Sequence, residues 1–361
     1  MGVPRGPFSM DGEPPFQPRF PWWNGDLQTL RDTFRSDALP PDQGQRLPLD
    51  VGGGEQLLAK LDAPLSGAEP RGLVLLMHGL GGSSQRAGLR RMGDTLQRSG
   101  FAVLRLNMRG AGEGRALARG TYAANCNRDL LPVLRQARSL AAGRPLLGMG
   151  ISLGGTKLLN ALTSSALERR TAGLDPQAPL LDGLVTISTP VDLESCSRQI
   201  ERPRNGLYQH WLLKRLVAQT LADPFGVTAS ERQALEGPLP TIRAFDAAIT
   251  APRWSYASVD DYYREASPLW RLQDPRIRRQ LPPALLIHAE DDPWVPVAPT
   301  RSLEAFQDDR FQLLLTSKGG HNGFHGRGGC WTDQLTARCF RPCWTETASV
   351  SRSTPRSARR R

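Results

Sequence analysis

Residues 148–155 read Gly-Met-Gly-Ile-Ser-Leu-Gly-Gly and follow directly on the apolar run Pro145-Leu146-Leu147. That run predicts a short buried strand, and residues Thr156 to Leu167 predict a helix. A Gly-x-Ser-x-Gly pentapeptide therefore stands at a strand-to-helix junction, which constrains the fold more than any other feature of the 361-residue chain. A serine at the tip of so sharp a turn has a strained backbone. The positions two before and two after it must be small for strand and helix to close on one another. The Ser152 hydroxyl then stands clear of the sheet edge, beside a helix N-terminus and the next backbone N–H. These residue types at this spacing make Ser152 a candidate nucleophile.

The text around this elbow alternates short apolar runs with helical patterns. Gln56–Leu61, Leu73–Met77, Ala102–Asn107, Leu146–Gly148, Leu184–Ile187, Ala284–His288 and Gln312–Leu315 are the strand candidates. Helices are expected near Gln85–Ser99, Asn127–Ala141, Thr156–Leu167 and Thr300–Phe306. Such a βα series implies an α/β fold with a mostly parallel central sheet and helices on both faces. From about residue 192 to 283 no strand is legible, while helical patterns recur in Gly206–Leu221 and Ser258–Arg264. This stretch is expected to be an inserted helical cap over the C-terminal edge of the sheet, where ligands of open α/β sheets bind. Residues 1–20, rich in proline and glycine, are expected to be a flexible segment. Residues 21–327 would form the domain and 328–361 an irregular, disordered basic tail.

The net charge of +11 raises the question of nucleic-acid binding. From Arg327 onward eight arginines face two acids, so that segment alone carries +6. A basic tail on a mildly basic enzyme accounts for the charge, and no nucleic-acid partner is expected. No export signal and no apolar run of membrane-spanning length is present, which leaves only transient contact with a membrane surface open. The five cysteines form no CxxC pair, so reduced thiols in a cytoplasmic protein are expected. Gly148-x-Gly150 lacks the third glycine of a dinucleotide fingerprint, Gly155-Thr156-Lys157 reverses a phosphate loop, and nothing has metal-ligand spacing. No cofactor or metal is expected, and no oligomeric state is legible.

A nucleophilic serine needs a base, and the base an orienting acid. Of five histidines, His321 follows the last strand candidate in Gly319-Gly320-His321-Asn322-Gly323, from where it can reach back over the sheet edge. His325 is the runner-up, and His288, ending a buried strand, reads as a packed histidine. The strand before ends in Glu290-Asp291-Asp292-Pro293-Trp294-Val295-Pro296. There Asp292 heads an Asp-x-x-Val-Pro pattern and is preferred to Asp291, with Glu290 the outsider. Donors for an oxyanion are expected at the backbone N–H groups of Leu80, in the His78-Gly79-Leu80-Gly81-Gly82 loop, and of Leu153. The order Ser152, Asp292, His321 is that of α/β-hydrolases.

Further motifs resemble the YheT-like branch of the α/β-hydrolases, which also holds abhydrolase-domain lipases and phospholipases. They are Pro21-Trp22-Trp23 with Leu27-Gln28-Thr29-Leu30, Asn107-Met108-Arg109-Gly110, Thr241–Asp246, Asp260–Ser267 and Gly319–Phe324. The resemblance spans about residues 20–327. It implies that Ser152, Asp292 and His321 occupy the family's charge-relay positions and that the substrate is a small carboxylic ester, an acylglycerol or medium-chain acyl ester. Trp211, Leu212, Leu213, Phe225, Trp254, Tyr262 and Tyr263 would line an acyl pocket in the cap or form the cap's own core. Two departures stand out. Thr121–Cys126 replaces the family's loop with a Tyr-His pair. After Arg327 no helical apolar stripe is legible where the family has a final amphipathic helix, as if the reading frame had shifted. The alternatives to an esterase are an acyltransferase with the same triad, or a non-catalytic binding protein on the same fold.

Overall fold

The structure, a computed structural model, describes Phe8, residues 14–35 and residues 37–350, the side chains of 342–350 excepted. Its centre is an eight-stranded sheet: β1 (Gln45–Gly52), β2 (Glu55–Asp62), β3 (Leu73–Met77), β4 (Ala102–Leu106), β5 (Leu146–Ile151), β6 (Gly183–Ile187), β7 (Ala284–Ala289) and β8 (Phe311–Thr316). The spatial order is β1-β2-β4-β3-β5-β6-β7-β8, and β2 alone runs against its neighbours. The chain passes from β3 to β4 on one side and then to β5 on the other. The order therefore reverses between β3 and β5, the crevice where open α/β sheets bind their ligands.

Period-two geometry explains why the central strands read as unbroken apolar runs. Leu73, Leu75 and Met77 of β3 enter one core layer, while Val74 and Leu76 enter the other. The first layer is closed by α3 (Asn127–Ala141), through Leu130 and Leu134, and by α4 (Leu153–Leu162), through Leu158 and Leu159. The second is closed by α2 (Ala87–Arg98), through Leu89, Met92 and Leu96, and by a helix over Trp331–Val350. Helices thus cover both faces. Among the described residues no helix is long and apolar enough to cross a membrane.

The last of these helices corrects the sequence reading. Residues 331–350 were expected to be irregular, yet Thr332, Leu335, Thr336, Cys339 and Phe340 are buried at helical spacing, with the Phe340 ring edge-on to Phe101 at 6.3 Å. Two threonines make the stripe look polar in one dimension, although their methyl groups pack as apolar surface beside Cys339. Residues 351–361 lie outside the described part. At the other end, Phe8 and Phe16 are buried, and Phe16 packs on Phe324 and Trp331 with ring centres 5.5 and 5.9 Å away. The flexible segment expected over 1–20 therefore does not reach that far; residues 1–7 and 9–13 lie outside the described part.

Two further elements escaped the sequence reading. Strand β1 carries Pro48, which a central strand would exclude but an edge strand tolerates. Helix α1 (Gly25–Phe34) begins at Asn24, whose side chain accepts the Leu27 N–H at 2.8 Å. The helix expected over Thr156–Leu167 is two: α4, and α5 (Ala166–Thr171) with a Ser165/Glu168 capping box. Among the described residues, helices joined by loops and no strand lie between β6 and β7; the helices include α6 (Leu193–Ile200), α7 (Gly206–Leu221) and α8 (Ala229–Glu236).

Candidate active site

Strand β5 ends at Ile151 and α4 begins at Leu153, so Ser152 alone turns the chain, with φ 52° and ψ −125°. Holding an L-residue there costs on the order of 1–3 kcal/mol. Glycine makes the turn sterically feasible. A Cβ on Gly150 would lie 2.5 Å from the Gly155 backbone, and one on Gly154 2.5 Å from the Met77 carbonyl oxygen. Either contact would push strand and helix apart.

Three side chains from separate strand ends meet at this point. His321 Nε2 lies 3.0 Å from Ser152 Oγ, and His321 Nδ1 lies 2.9 Å from Asp292 Oδ2. The other Asp292 oxygen accepts the N–H groups of Trp294 and Val295 at 2.8 and 3.0 Å. Burial alone would raise the Asp292 carboxyl, but the charge and hydrogen bonds of His321 and His288 outweigh it and hold the group well below the usual carboxylate range. Asp292 is thus an anion aimed at the imidazole. The adjacent carboxylates do other work: Asp291 accepts the Gly320 N–H at 2.9 Å, and Glu290 pairs with Arg301.

Of the other four histidines, His210 is exposed and three have partners within the fold. His325 Nε2 lies 3.2 Å from Asp32, and His288 contacts Thr300 Oγ1 and the Val295 carbonyl at 2.9 and 3.1 Å. His78 Nδ1 faces the Gly79 carbonyl at 2.8 Å while Nε2 accepts the Met108 N–H. Burial drives its pKa down to about 3, so a neutral His78 braces the loop that carries Leu80. That loop passes directly beside the serine: a Cβ on Gly79 would sit 3.0 Å from Ser152 Cβ. Leu153 opens α4, where helix geometry leaves its N–H without an intrahelical acceptor. The loop that carries Leu80 and the N-terminus of α4 therefore lie on either side of Ser152.

Several residues around the site had gone unread. Thr29 on α1 accepts the His321 N–H at 2.8 Å, and Gln28 binds the main chain of His325 in both directions. The Leu27-Gln28-Thr29-Leu30 motif was visible in sequence; its task of fixing the histidine loop was not. Trp294 stacks on the His321 ring with centres 4.5 Å apart. Tyr122 accepts the Gly81 N–H at 2.7 Å, and the fully buried Lys157 places Nζ 3.8 Å from the Tyr122 ring centre. Lys157 Nζ has no hydrogen-bond partner among the described residues, and burial lowers its pKa to about 8.

Above the serine a cavity of about 330 Å³ separates sheet from cap. Trp211, Leu212, Tyr262 and Tyr263 line it, whereas Leu213, Phe225 and Trp254 do not. Phe225 stacks beneath Arg119 at the surface, and Trp254 donates to the Thr121 carbonyl. Asp246, in a π-helical turn (Asp246–Thr250), also faces the cavity. It accepts the Tyr263 hydroxyl at 2.9 Å, and burial raises it to about 6.

Sheet order, elbow and helical insertion define an α/β-hydrolase of the serine class. Residues 68–325 match the family described as serine aminopeptidase, S33, and the chain belongs to that family. It is 30% identical to the phospholipase ABHD3 of Mus musculus over 321 residues, covering 87% of this chain and 74% of the mouse protein. It is 29% identical to the putative esterase YheT of Escherichia coli over 358 residues, covering 96% of each. Among solved structures, a soluble variant of monoglyceride lipase from Saccharomyces cerevisiae, in complex with a substrate analog, superposes with a TM-score of 0.51 at 17% identity. That match covers 85% of this chain and 98% of that one, and attests the fold.

Proposed function

We propose that the chain hydrolyses carboxylic esters with short- to medium-chain acyl groups, acylglycerols included, through an acyl-enzyme on Ser152. The observation that carries this reading is the hydrogen-bonded row Asp292–His321–Ser152 under a largely apolar cavity. The names of the relatives, phospholipase and putative esterase, agree with it. His321 Nε2 takes the Ser152 proton as Oγ attacks the ester carbonyl carbon. Asp292 orients the imidazole and stabilises its cation, and the N–H groups of Leu80 and Leu153 hold the oxyanion. The imidazolium then protonates the departing alkoxide. Water, deprotonated by His321, attacks the acyl-enzyme and releases the acid with Ser152 restored.

A fluorophosphonate probe and a series of p-nitrophenyl esters from acetate to dodecanoate test this. Wild type is expected to label and to turn over the shorter esters, and Ser152→Ala to do neither. Absence of labelling in folded wild type would overturn the reading. Product analysis with added alcohol separates hydrolysis from acyl transfer.

A further inference from the structure

Buried positive charge in this molecule is generally met by acid. Arg109 pairs with Asp129 and Glu55, Arg105 with Asp62 and Asp42, and Arg91 with Asp32 and Asp333. Two arginines at the cavity depart from this pattern. Arg86, just before α2, lines the cavity, and Arg215 of α7 lies beside it; both are half-buried. Among the described residues neither forms an ion pair.

Both guanidinium groups lie over the indole of Trp211, their carbons 5.6 and 4.9 Å from its centre. Arg215 Nη2 donates to the Gly81 carbonyl at 2.7 Å, in the loop that carries Leu80, while its Nε is buried with no acceptor. Burial, and then the charge of Arg215, pulls the Arg86 guanidinium below its ordinary value. Like charges held together in a half-buried site favour an anion between them, and guanidinium forks fit phosphate and carboxylate in bidentate fashion. The cavity's acids do not fill that role: Asp32 and Asp333 are held by Arg91, and Asp246 takes the Tyr263 hydroxyl.

We propose that Arg86 and Arg215, braced on Trp211, form an anion subsite beside the Leu80 loop, and that the preferred substrate is an ester whose alcohol half carries a phosphate or carboxylate group. This rests on the esterase reading of Ser152, so binding and turnover are measured separately. In calorimetry with Ser152→Ala, dihexanoyl phosphatidate is expected to bind about ten-fold or more tighter than dihexanoylglycerol, the scale of one charge-assisted hydrogen bond. Adding Arg86→Gln is expected to abolish the difference. If that variant melts early, Arg215→Gln reads the same quantity.

Equal affinity for the two esters, or a difference that survives both arginine substitutions in folded protein, overturns the subsite. Inorganic phosphate binding as tightly as the phosphatidate overturns its assignment to the substrate. The kcat/KM ratio of the two esters in wild type is expected to show the same preference. A binding preference intact in a wild type that turns over neither ester would refute the esterase reading and leave the subsite standing.

Discussion

At the residue scale, Ser152 is costly in itself and inexpensive in context. Its left-handed backbone persists because Gly150 and Gly154 let β5 and α4 close around it. Asp292 has no such freedom, since its two oxygens face His321, His288 and two backbone amides. Asp292→Asn is expected to preserve the fold and lower kcat by roughly four orders of magnitude, because an amide favours the wrong imidazole tautomer; steady-state kinetics on a p-nitrophenyl ester measures it. Lys157 supplies a pH test. Its pKa is lowered to about 8 from 10.5, so below about pH 8 the folded state holds a charge that burial disfavours. Between those values the unfolded chain binds the proton and the folded one does not, hence stability rises with pH. The stability of wild type relative to Lys157→Met is expected to increase from pH 8 to 10.5, by thermal melts. A flat difference would show that Lys157 feels no such burial. The type and order of the candidate triad were legible in the residues; the bracing of His321 by Thr29 and Trp294 was not, because it links α1 and the strand ends through contacts remote in sequence.

At the scale of elements, the central strands were readable because burial on both faces makes them uniformly apolar. The edge strand β1 was not, because one exposed edge admits Pro48 and alternating polar residues. The helix over Trp331–Val350 shows the opposite difficulty. Its buried face is built of Thr332, Leu335, Thr336, Cys339 and Phe340, and hydropathy gives the threonines too little credit for packing. Since Phe340 is fully enclosed against Phe101, Phe340→Ala is expected to destabilise the protein by about 3–5 kcal/mol, measured by urea denaturation. A change below about 1 kcal/mol would place this helix outside the cooperative fold.

At the scale of the whole molecule, the cavity belongs neither to the sheet nor to the cap but to their junction. Ser152 and His321 provide its floor, and α7 provides wall residues such as Leu212 and Leu216. Leu216→Trp is expected to shift the acyl-length optimum toward shorter chains, with roughly ten-fold or greater loss on decanoyl relative to acetyl p-nitrophenyl ester. An unchanged chain-length profile would place the acyl chain elsewhere. What the residues determined unaided was the fold class, the elbow and the order of its candidate partners, because strand periodicity, glycine sterics and turn chemistry act over a few neighbouring positions. Only the tertiary structure decided which carboxylate meets His321, that the Gln28-Thr29 pair anchors its loop, and that Arg86 and Arg215 meet over Trp211 without an acid. Those choices depend on which strand ends and helix faces converge, and convergence is set by the packing of the whole chain.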